Sequence, residues 1–149
     1  MSEHIHKEAF NLLCGELIGH GMSRQVFACL LRDDLVVKTE SDSRRFQNVV
    51  EWETWQRVKD TPMAIHFAPC HSISPCGSVL VMSRTRPAGL DEFPKLMPAF
   101  LCDFKRTNYG VIAGKKGATT FVCHDYGTSL LFENGMTKRQ RRAHWWDAF

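Results

Sequence analysis

Two short stretches decide the fold of this chain: Cys102-Asp103-Phe104-Lys105-Arg106-Thr107-Asn108 and Phe121-Val122-Cys123-His124-Asp125-Tyr126-Gly127. In the first, an Asp is followed two residues later by a Lys and five residues later by an Asn. The second begins with apolar residues that predict a strand and ends in a turn-forming Asp-Tyr-Gly. Each stretch taken alone has an ordinary explanation, a polar loop for the first and a simple turn for the second. Together they offer two oxygen-bearing side chains, Asn108 and Asp125, of the kind that Mg²⁺ prefers.

The residues that precede these stretches have the pattern of an antiparallel sheet with one long helix. Apolar, β-branched and aromatic residues predict strands, separated by turns, within 16–31 (two strands), 35–40, 68–74, 78–84, 109–113 and 118–123. Residues 43–59 repeat apolar side chains at helical spacing, with Ser43 as the candidate N-cap. Residues 2–13 predict a short helix, and residues 90–101 a partly helical segment interrupted by prolines. This order predicts an α+β fold.

The turn within residues 16–31 is a candidate phosphate loop. Gly19 and Gly21 would let backbone amides approach phosphate oxygens, and Val26 in the next strand can sit over an adenine ring. Two glycines in a hairpin are more often only a turn, so this feature needs support from elsewhere in the chain.

Lys38 follows two valines in the predicted strand 35–40. A lysine that points into a core needs a partner, because burial of an unpaired charge is costly. The following helix offers Glu51 and Glu53; spacing favours Glu51, and Glu53 stays an alternative. The competing interpretation places Lys38 on an edge strand, facing water.

The order of these features resembles the protein-kinase-like superfamily, and most of all the very small kinase-like proteins encoded by bacteriophages. The resemblance covers residues 16–127. It implies a cofactor pair of ATP and Mg²⁺, bound through Gly19, Gly21, Val26, Lys38 and Glu51, with Lys38 on the α- and β-phosphates and paired with Glu51. It further implies Asp103 as catalytic base, Lys105 as the residue that steadies the transferred phosphoryl group, and Asn108 and Asp125 as magnesium ligands.

Several positions depart from the kinase pattern. Arg24 stands where the loop usually has a third glycine, Leu101 and Cys102 replace the usual His-Arg, and Tyr126 replaces Phe. About a dozen residues separate Gly89 from Asp103, where a kinase has two helices, and no activation segment is recognisable after residue 127. The sequence therefore predicts nucleotide binding more strongly than protein phosphorylation.

The expected organisation is a single minimal kinase-like domain over residues 1–149. Residues 1–86 would form an N-lobe, an antiparallel sheet with one helix, and residues 87–136 a truncated C-lobe with the catalytic and metal loops. Residues 137–149 would form a basic, tryptophan-rich tail. The net charge is +3, and residues 134–149 hold all of it, with four basic residues and one acid. The preferred interpretation of the tail is a terminal helix with a solvated basic face and docked tryptophans.

The predicted function is an ATP- and magnesium-dependent phosphotransferase of minimal size that acts on a hydroxyl acceptor. The alternative is a catalytically inactive pseudokinase, or kinase mimic of phage type, that binds and modulates a host protein. Nucleic acid is a weaker partner hypothesis, supported only by the tail. The sequence has no apolar run long enough to span a membrane and a polar start without a signal peptide, so a cytoplasmic location is expected, in the host cytoplasm if the protein is viral.

Overall fold

The computed structural model describes residues 3–41, 46–128, 131 and 135–147. The candidate N-cap Ser43 lies outside the described residues. The chain divides into two compact units. The first unit comprises Met1–Val49 and Cys70–Arg84, and the second comprises Val50–Pro69 and Thr85–Phe149. Among the described residues, no helix combines the length and the apolar character needed to cross a membrane.

The first unit is built on a five-stranded antiparallel sheet in the order β1-β2-β3-β5-β4. Its elements are α1 (Glu3–Leu13), β1 (Cys14–His20), β2 (Arg24–Cys29), β3 (Leu35–Glu40), β4 (Cys70–Ile73) and β5 (Val79–Ser83). The helix α2 (Gln47–Val58) lies between β3 and β4 in the chain. The α+β prediction is confirmed, with the antiparallel sheet and the helix after its third strand that the kinase-like resemblance implies.

Strand β3 lies at the centre of this sheet, between β2 and β5, and its first four residues are buried. Leu35 and Val37 pack in a cluster with Cys14 and Cys29. Lys38 has only 3% of its surface exposed. The interpretation of Lys38 as a water-facing residue on an edge strand is therefore wrong, because β3 is a central strand and the Lys38 side chain is buried.

The start of α2 is tied to the sheet by Asn48, which is fully buried. Its amide nitrogen donates to the carbonyl oxygens of Lys38 and Gly77, both at 3.1 Å. Its amide oxygen accepts from the Arg24 guanidinium at 3.3 Å. Arg24 is thus a buried residue at the start of β2 rather than a substitute for a flexible glycine.

The second unit has little regular structure beyond two short antiparallel pairs. Strands β7 (Tyr109–Ala113) and β8 (Thr119–Cys123) form the hairpin that the sequence predicts, and β6 (Leu96–Pro98) pairs with β9 (Gln140–Arg142). The terminal helix predicted within residues 137–149 is wrong. The backbone of residues 140–142 instead hydrogen-bonds to β6, with Arg141 opposite the buried Met97 and Arg142 opposite the exposed Leu96.

The two tryptophans of the tail have different surroundings. The Trp145 ring meets four aromatic rings at centroid distances of 4.8–5.7 Å, those of Phe93, Phe104, Tyr109 and Phe121. Its indole N–H donates to the carbonyl oxygen of Pro94 at 2.7 Å. Trp146, by contrast, is 47% exposed. Docking of the tail is therefore confirmed for Trp145 but not for the side chain of Trp146.

Candidate functional site

The segment 101–108 is a polar loop whose side chains are held by local hydrogen bonds. The amide nitrogen of Asn108 donates to Asp103 Oδ2 at 2.9 Å, and the backbone N–H of Lys105 donates to Asp103 Oδ1 at 3.4 Å. A 3₁₀ turn over Arg106–Asn108 closes the loop, with the Asn108 N–H bonded to the Lys105 carbonyl oxygen at 2.9 Å. The Asp and the Asn of the sequence motif are therefore in direct contact.

The loop is joined to the end of β8 through one carbonyl group. The carbonyl oxygen of Asn108 accepts from the backbone N–H groups of His124, at 2.9 Å, and Asp125, at 3.3 Å. Asn108 is 8% exposed and Asp125 is half-buried. The structure thus brings Asp103, Asn108 and Asp125 together within the second unit.

His124 fixes the same junction through its imidazole ring. Nε2 lies 2.7 Å from the carbonyl oxygen of Thr107, and Nδ1 lies 2.8 Å from the hydroxyl of Thr85. A carbonyl oxygen only accepts, so Nε2 carries the proton, and Nδ1 of a neutral ring accepts from the hydroxyl. No sequence pattern predicts this role of the histidine, because its two partners lie 17 and 39 residues away.

The turn after Asp125 is anchored by Tyr126 and Glu51. The backbone N–H of Tyr126 donates to Glu51 Oε1 at 3.1 Å, and its hydroxyl donates to the carbonyl oxygen of Ala68 at 2.8 Å. The Tyr126 ring is 1% exposed and lies edge-on to Phe67 at 4.9 Å. The bond to Ala68 gives the buried phenol the acceptor that it needs.

Burial separates the two acids that the sequence left open in α2. Glu51 is fully buried, whereas Glu53 is exposed. The bond from the Tyr126 N–H to Glu51 is a contact that the sequence analysis missed. Pairing of Lys38 with Glu51 stays a prediction. Burial favours Glu51 over Glu53 as the partner, because a nearby cation stabilises a buried carboxylate much more than an exposed one.

The side chain of Lys105 lies next to the tail tryptophan Trp146. Its ammonium group lies 5.8 Å from the centroid of the Trp146 ring, a cation–π distance. The backbone on either side is also engaged, since Trp146 donates its N–H to the Phe104 carbonyl oxygen at 3.1 Å and accepts from the Arg106 N–H at 2.9 Å. The role of Lys105 in phosphoryl transfer stays a prediction.

Three of the candidate nucleotide residues of the first unit lie in one row across the sheet. Gly19 is opposite Val26, Val26 is opposite Lys38, and Lys38 is opposite Leu80. Directly opposed residues of antiparallel strands share a face, so Gly19, Val26 and Lys38 belong to the same face.

Neither glycine of the candidate phosphate loop is required by the fold. Among the described glycines, positive φ angles occur at Gly77, Gly117 and Gly135, not at Gly19 or Gly21. A Cβ atom added at Gly19 or Gly21 would have no neighbour within 4 Å among the described atoms. The Gly21 N–H does take part in the turn, by donating to the Arg24 carbonyl oxygen at 2.8 Å.

The donor set of the second unit fits a magnesium ion that also binds phosphate. Asn108 uses its amide nitrogen for Asp103, which leaves its amide oxygen as the ligand atom, and Asp125 supplies a carboxylate. Mg²⁺ takes one or two protein oxygens and completes its shell with phosphate and water. Within the described residues there is no cluster of three or more His, Cys, Asp or Glu side chains arranged for a metal.

Cys102 precedes Asp103 in the same loop, and we expect its thiol to react slowly with alkylating reagents. Its thiol donates to the Thr128 carbonyl oxygen at 2.9 Å. Burial raises the pKa of Cys102 above its usual value, and the neighbouring Asp103 carboxylate raises it further. All six cysteines lie in described residues, and they form no disulfide.

Comparisons with known proteins give partial structural similarity only. No protein-family model matches the chain, and no curated protein matches it. Two solved structures of the aminoglycoside phosphotransferase APH(2'')-IIa are similar in part. The streptomycin–ATP complex has a TM-score of 0.44 and 17% identity, and the gentamicin complex has 0.46 and 14%. Each match covers 60% of this chain but only 30% of the phosphotransferase chain.

Proposed function

We propose that this chain is a kinase-like protein that binds ATP with Mg²⁺ and transfers the γ-phosphate to a hydroxyl acceptor. The observation that carries the proposal is the contact of Asp103 with Asn108, together with the two hydrogen bonds that join Asn108 to the segment containing Asp125. These bonds support the proposal because they hold the two segments that carry the three proposed residues next to each other in one unit. Asp103 would accept the proton of the acceptor hydroxyl, and Asn108 and Asp125 would hold the cation.

The cross-strand row of the first unit supports the nucleotide part of the proposal. Val26 would lie against the adenine ring and Lys38 would contact the α- and β-phosphates. A buried ammonium on a central strand is costly unless a charge or hydrogen bond compensates for it. Open space beside Gly19 and Gly21 is what a loop needs if its amides are to approach a triphosphate.

The bound cation would supply charge neutralisation for the transferred phosphoryl group. The residues of this chain would supply positioning. Asn108 holds the Asp103 carboxylate in one orientation, and His124 holds the loop to the strand end through Thr107. Preorganised groups of this kind are the main source of catalysis in phosphoryl transfer.

Turnover of radiolabelled ATP in the presence of Mg²⁺ tests this proposal. We expect hydrolysis or autophosphorylation by the unaltered protein and a loss of at least 100-fold for Asp103→Asn, which keeps the hydrogen-bonding shape but removes the base. Asp91→Asn is the matched control, because Asp91 is an exposed acid in the same unit. Equal turnover by the unaltered protein and Asp103→Asn would refute the phosphotransferase assignment.

A second candidate function is a pseudokinase that binds a host protein without turnover. Two observations favour it: both carboxylate oxygens of Asp103 accept hydrogen bonds from the chain itself, and the Lys105 ammonium lies over Trp146. This hypothesis predicts a complex with a partner protein that survives Lys38→Ala and is weakened by Trp146→Ala, because Trp146 is the exposed tryptophan of the tail. A complex that needs Lys38, or that Trp146→Ala leaves unchanged, would argue against it.

A further inference from the structure

A cavity lies within the second unit, beside Arg106. It has a volume of about 420 Å³ and is lined by the segment 93–95, Arg106 and the segment 142–145. This volume is in the range of small-molecule sites in proteins. None of the residues proposed above for phosphoryl transfer lines it.

The lining of this cavity is basic. Lys95 and Arg142 contribute positive charges, whereas the charge of Arg106 is paired with the Asp147 carboxylate just outside the lining. None of the described residues that line the cavity is acidic. Concave surfaces lined by one sign of charge concentrate ions of the opposite sign.

Arg106 is held in place before any ligand arrives. Its Nη1 donates to Asp147 Oδ2 at 2.7 Å, and its guanidinium lies 5.6 Å from the centroid of the Phe93 ring. Its backbone N–H is bonded to the Trp146 carbonyl oxygen. Its Nε is buried and has no hydrogen-bond partner among the described residues. Arg106 therefore forms a fixed part of the cavity wall, and Asp147 already pairs with its charge.

Strand pairing places the other two cations at the cavity. Arg142 lies opposite the exposed Leu96, on the outer face of the β6–β9 pair. The N–H of Ala143 donates to the Lys95 carbonyl oxygen at 3.0 Å, which keeps residues 95 and 143 side by side. Arg141, one residue earlier, instead donates to the Leu101 carbonyl oxygen at 2.5 Å and lies over Phe104. Arg142 therefore remains available at the cavity.

From this geometry we infer that the cavity binds a phosphate monoester whose esterified part is a flat apolar group, such as an aromatic ring. The phosphate would bind Arg142 and Lys95, since guanidinium and ammonium groups form charge-assisted hydrogen bonds with phosphate oxygens. Phe93 and Trp145 supply the apolar part of the lining. This inference does not rest on the proposed ATP chemistry, because it uses none of those residues.

Calorimetric titration at about 0.15 M salt with inorganic phosphate, phenyl phosphate and single-stranded oligothymidine tests the inference. We expect phenyl phosphate to bind more tightly than inorganic phosphate. Arg142→Gln and Lys95→Gln should each weaken phenyl phosphate binding about tenfold, the loss of one charge-assisted hydrogen bond. Lys138→Gln, an exposed cation outside the lining, should leave it unchanged.

The Lys38→Ala variant separates this site from the proposed nucleotide site. Unchanged phenyl phosphate binding by Lys38→Ala supports an independent site. Binding that is lost in Lys38→Ala but kept in Arg142→Gln would place the anion elsewhere and overturn the inference. Absence of binding by all three probes would overturn it too, and binding of oligothymidine alone would assign the cavity to a nucleic-acid strand instead.

Discussion

The two compact units of this protein are held together in different ways. The first unit is a five-stranded sheet held by backbone hydrogen bonds, in which β1, β2 and β3 pair in chain order and β5 joins β3 from further along the chain. The second unit has only two short strand pairs and depends more on side-chain packing, such as that of Trp145 with Phe93. Alternating apolar residues specify the first kind of structure, whereas side-chain packing between distant segments specifies the second. The units should therefore respond differently to mutation.

The largest effect is expected at Trp145, in the second unit. Trp145→Ala removes a ring that four other rings contact and leaves the Pro94 carbonyl oxygen without its indole donor. We expect a loss of about 3 to 5 kcal/mol in the free energy of unfolding, measured by urea denaturation. Trp146→Ala is the matched control, and it should cost under about 1 kcal/mol because that ring is half exposed. Similar losses for the two variants would show that the aromatic cluster does not hold this unit.

In the first unit, the largest single polar contribution is expected from Asn48. Asn48→Ala removes the donors to the carbonyl oxygens of Lys38 and Gly77 in a fully buried position. The expected loss is about 2 to 3 kcal/mol, because a buried acceptor without a partner retains its desolvation cost. Glu53→Ala, an exposed position on the same helix, should change stability by less than about 0.5 kcal/mol. An equal effect at both positions would contradict the tie between α2 and the sheet.

Comparison of the two units shows which features the sequence could predict and which it could not. The strands around Lys38 and the hairpin 109–123 follow from short apolar patterns, and their positions were predicted to within a few residues. The motif spacing selected Asp103, Asn108 and Asp125 as candidate site residues, and hydrogen bonds hold the segments that carry them together. A local pattern is enough for each of these features.

The missed features all depend on residues far apart in the sequence. The tail was expected to be helical because its apolar and basic residues fit a helix, but pairing with β6, more than 40 residues earlier, gives β9 instead. The bond from Tyr126 to Glu51 joins residues 75 positions apart, and no spacing rule predicts it. The same holds for the basic cavity, which appears only once β9 has paired.

A smaller effect on stability should come from the glycines of the first unit. Gly77 has a φ of 77°, and a Cβ there would lie 2.6 Å from Val49 Cγ2. Gly77→Ala should cost about 1 to 2 kcal/mol of unfolding free energy. Gly19→Ala should lower the free energy of unfolding by at most about 0.5 kcal/mol, because neither the φ angle nor the packing requires glycine there. A large loss from Gly19→Ala would mean that the fold, not a ligand, demands this glycine.

The smallest effect concerns thiol reactivity rather than stability. Hydrogen bonds from Ser78 lower the pKa of the exposed Cys76 to about 7, whereas burial raises the pKa of Cys102 in the second unit. The thiolate is the reactive form, so alkylation of Cys76 by iodoacetamide should rise through pH 7 and level off by about pH 8. Cys102 should stay slow until the pH is well above its usual thiol value. Peptide mass spectrometry over a pH series measures both, and identical profiles would contradict these environments.

The melting temperature in the presence of ATP and Mg²⁺ tests the central claim most directly. With ATP at roughly 100 times its dissociation constant, and with Mg²⁺, the folded protein should gain about 2.7 kcal/mol. Asp125→Asn should lose most of this gain, and Asp91→Asn should keep it. A melting temperature that does not respond to ATP, or that rises equally without Mg²⁺ and in Asp125→Asn, would contradict a magnesium–nucleotide site built on Asp103, Asn108 and Asp125.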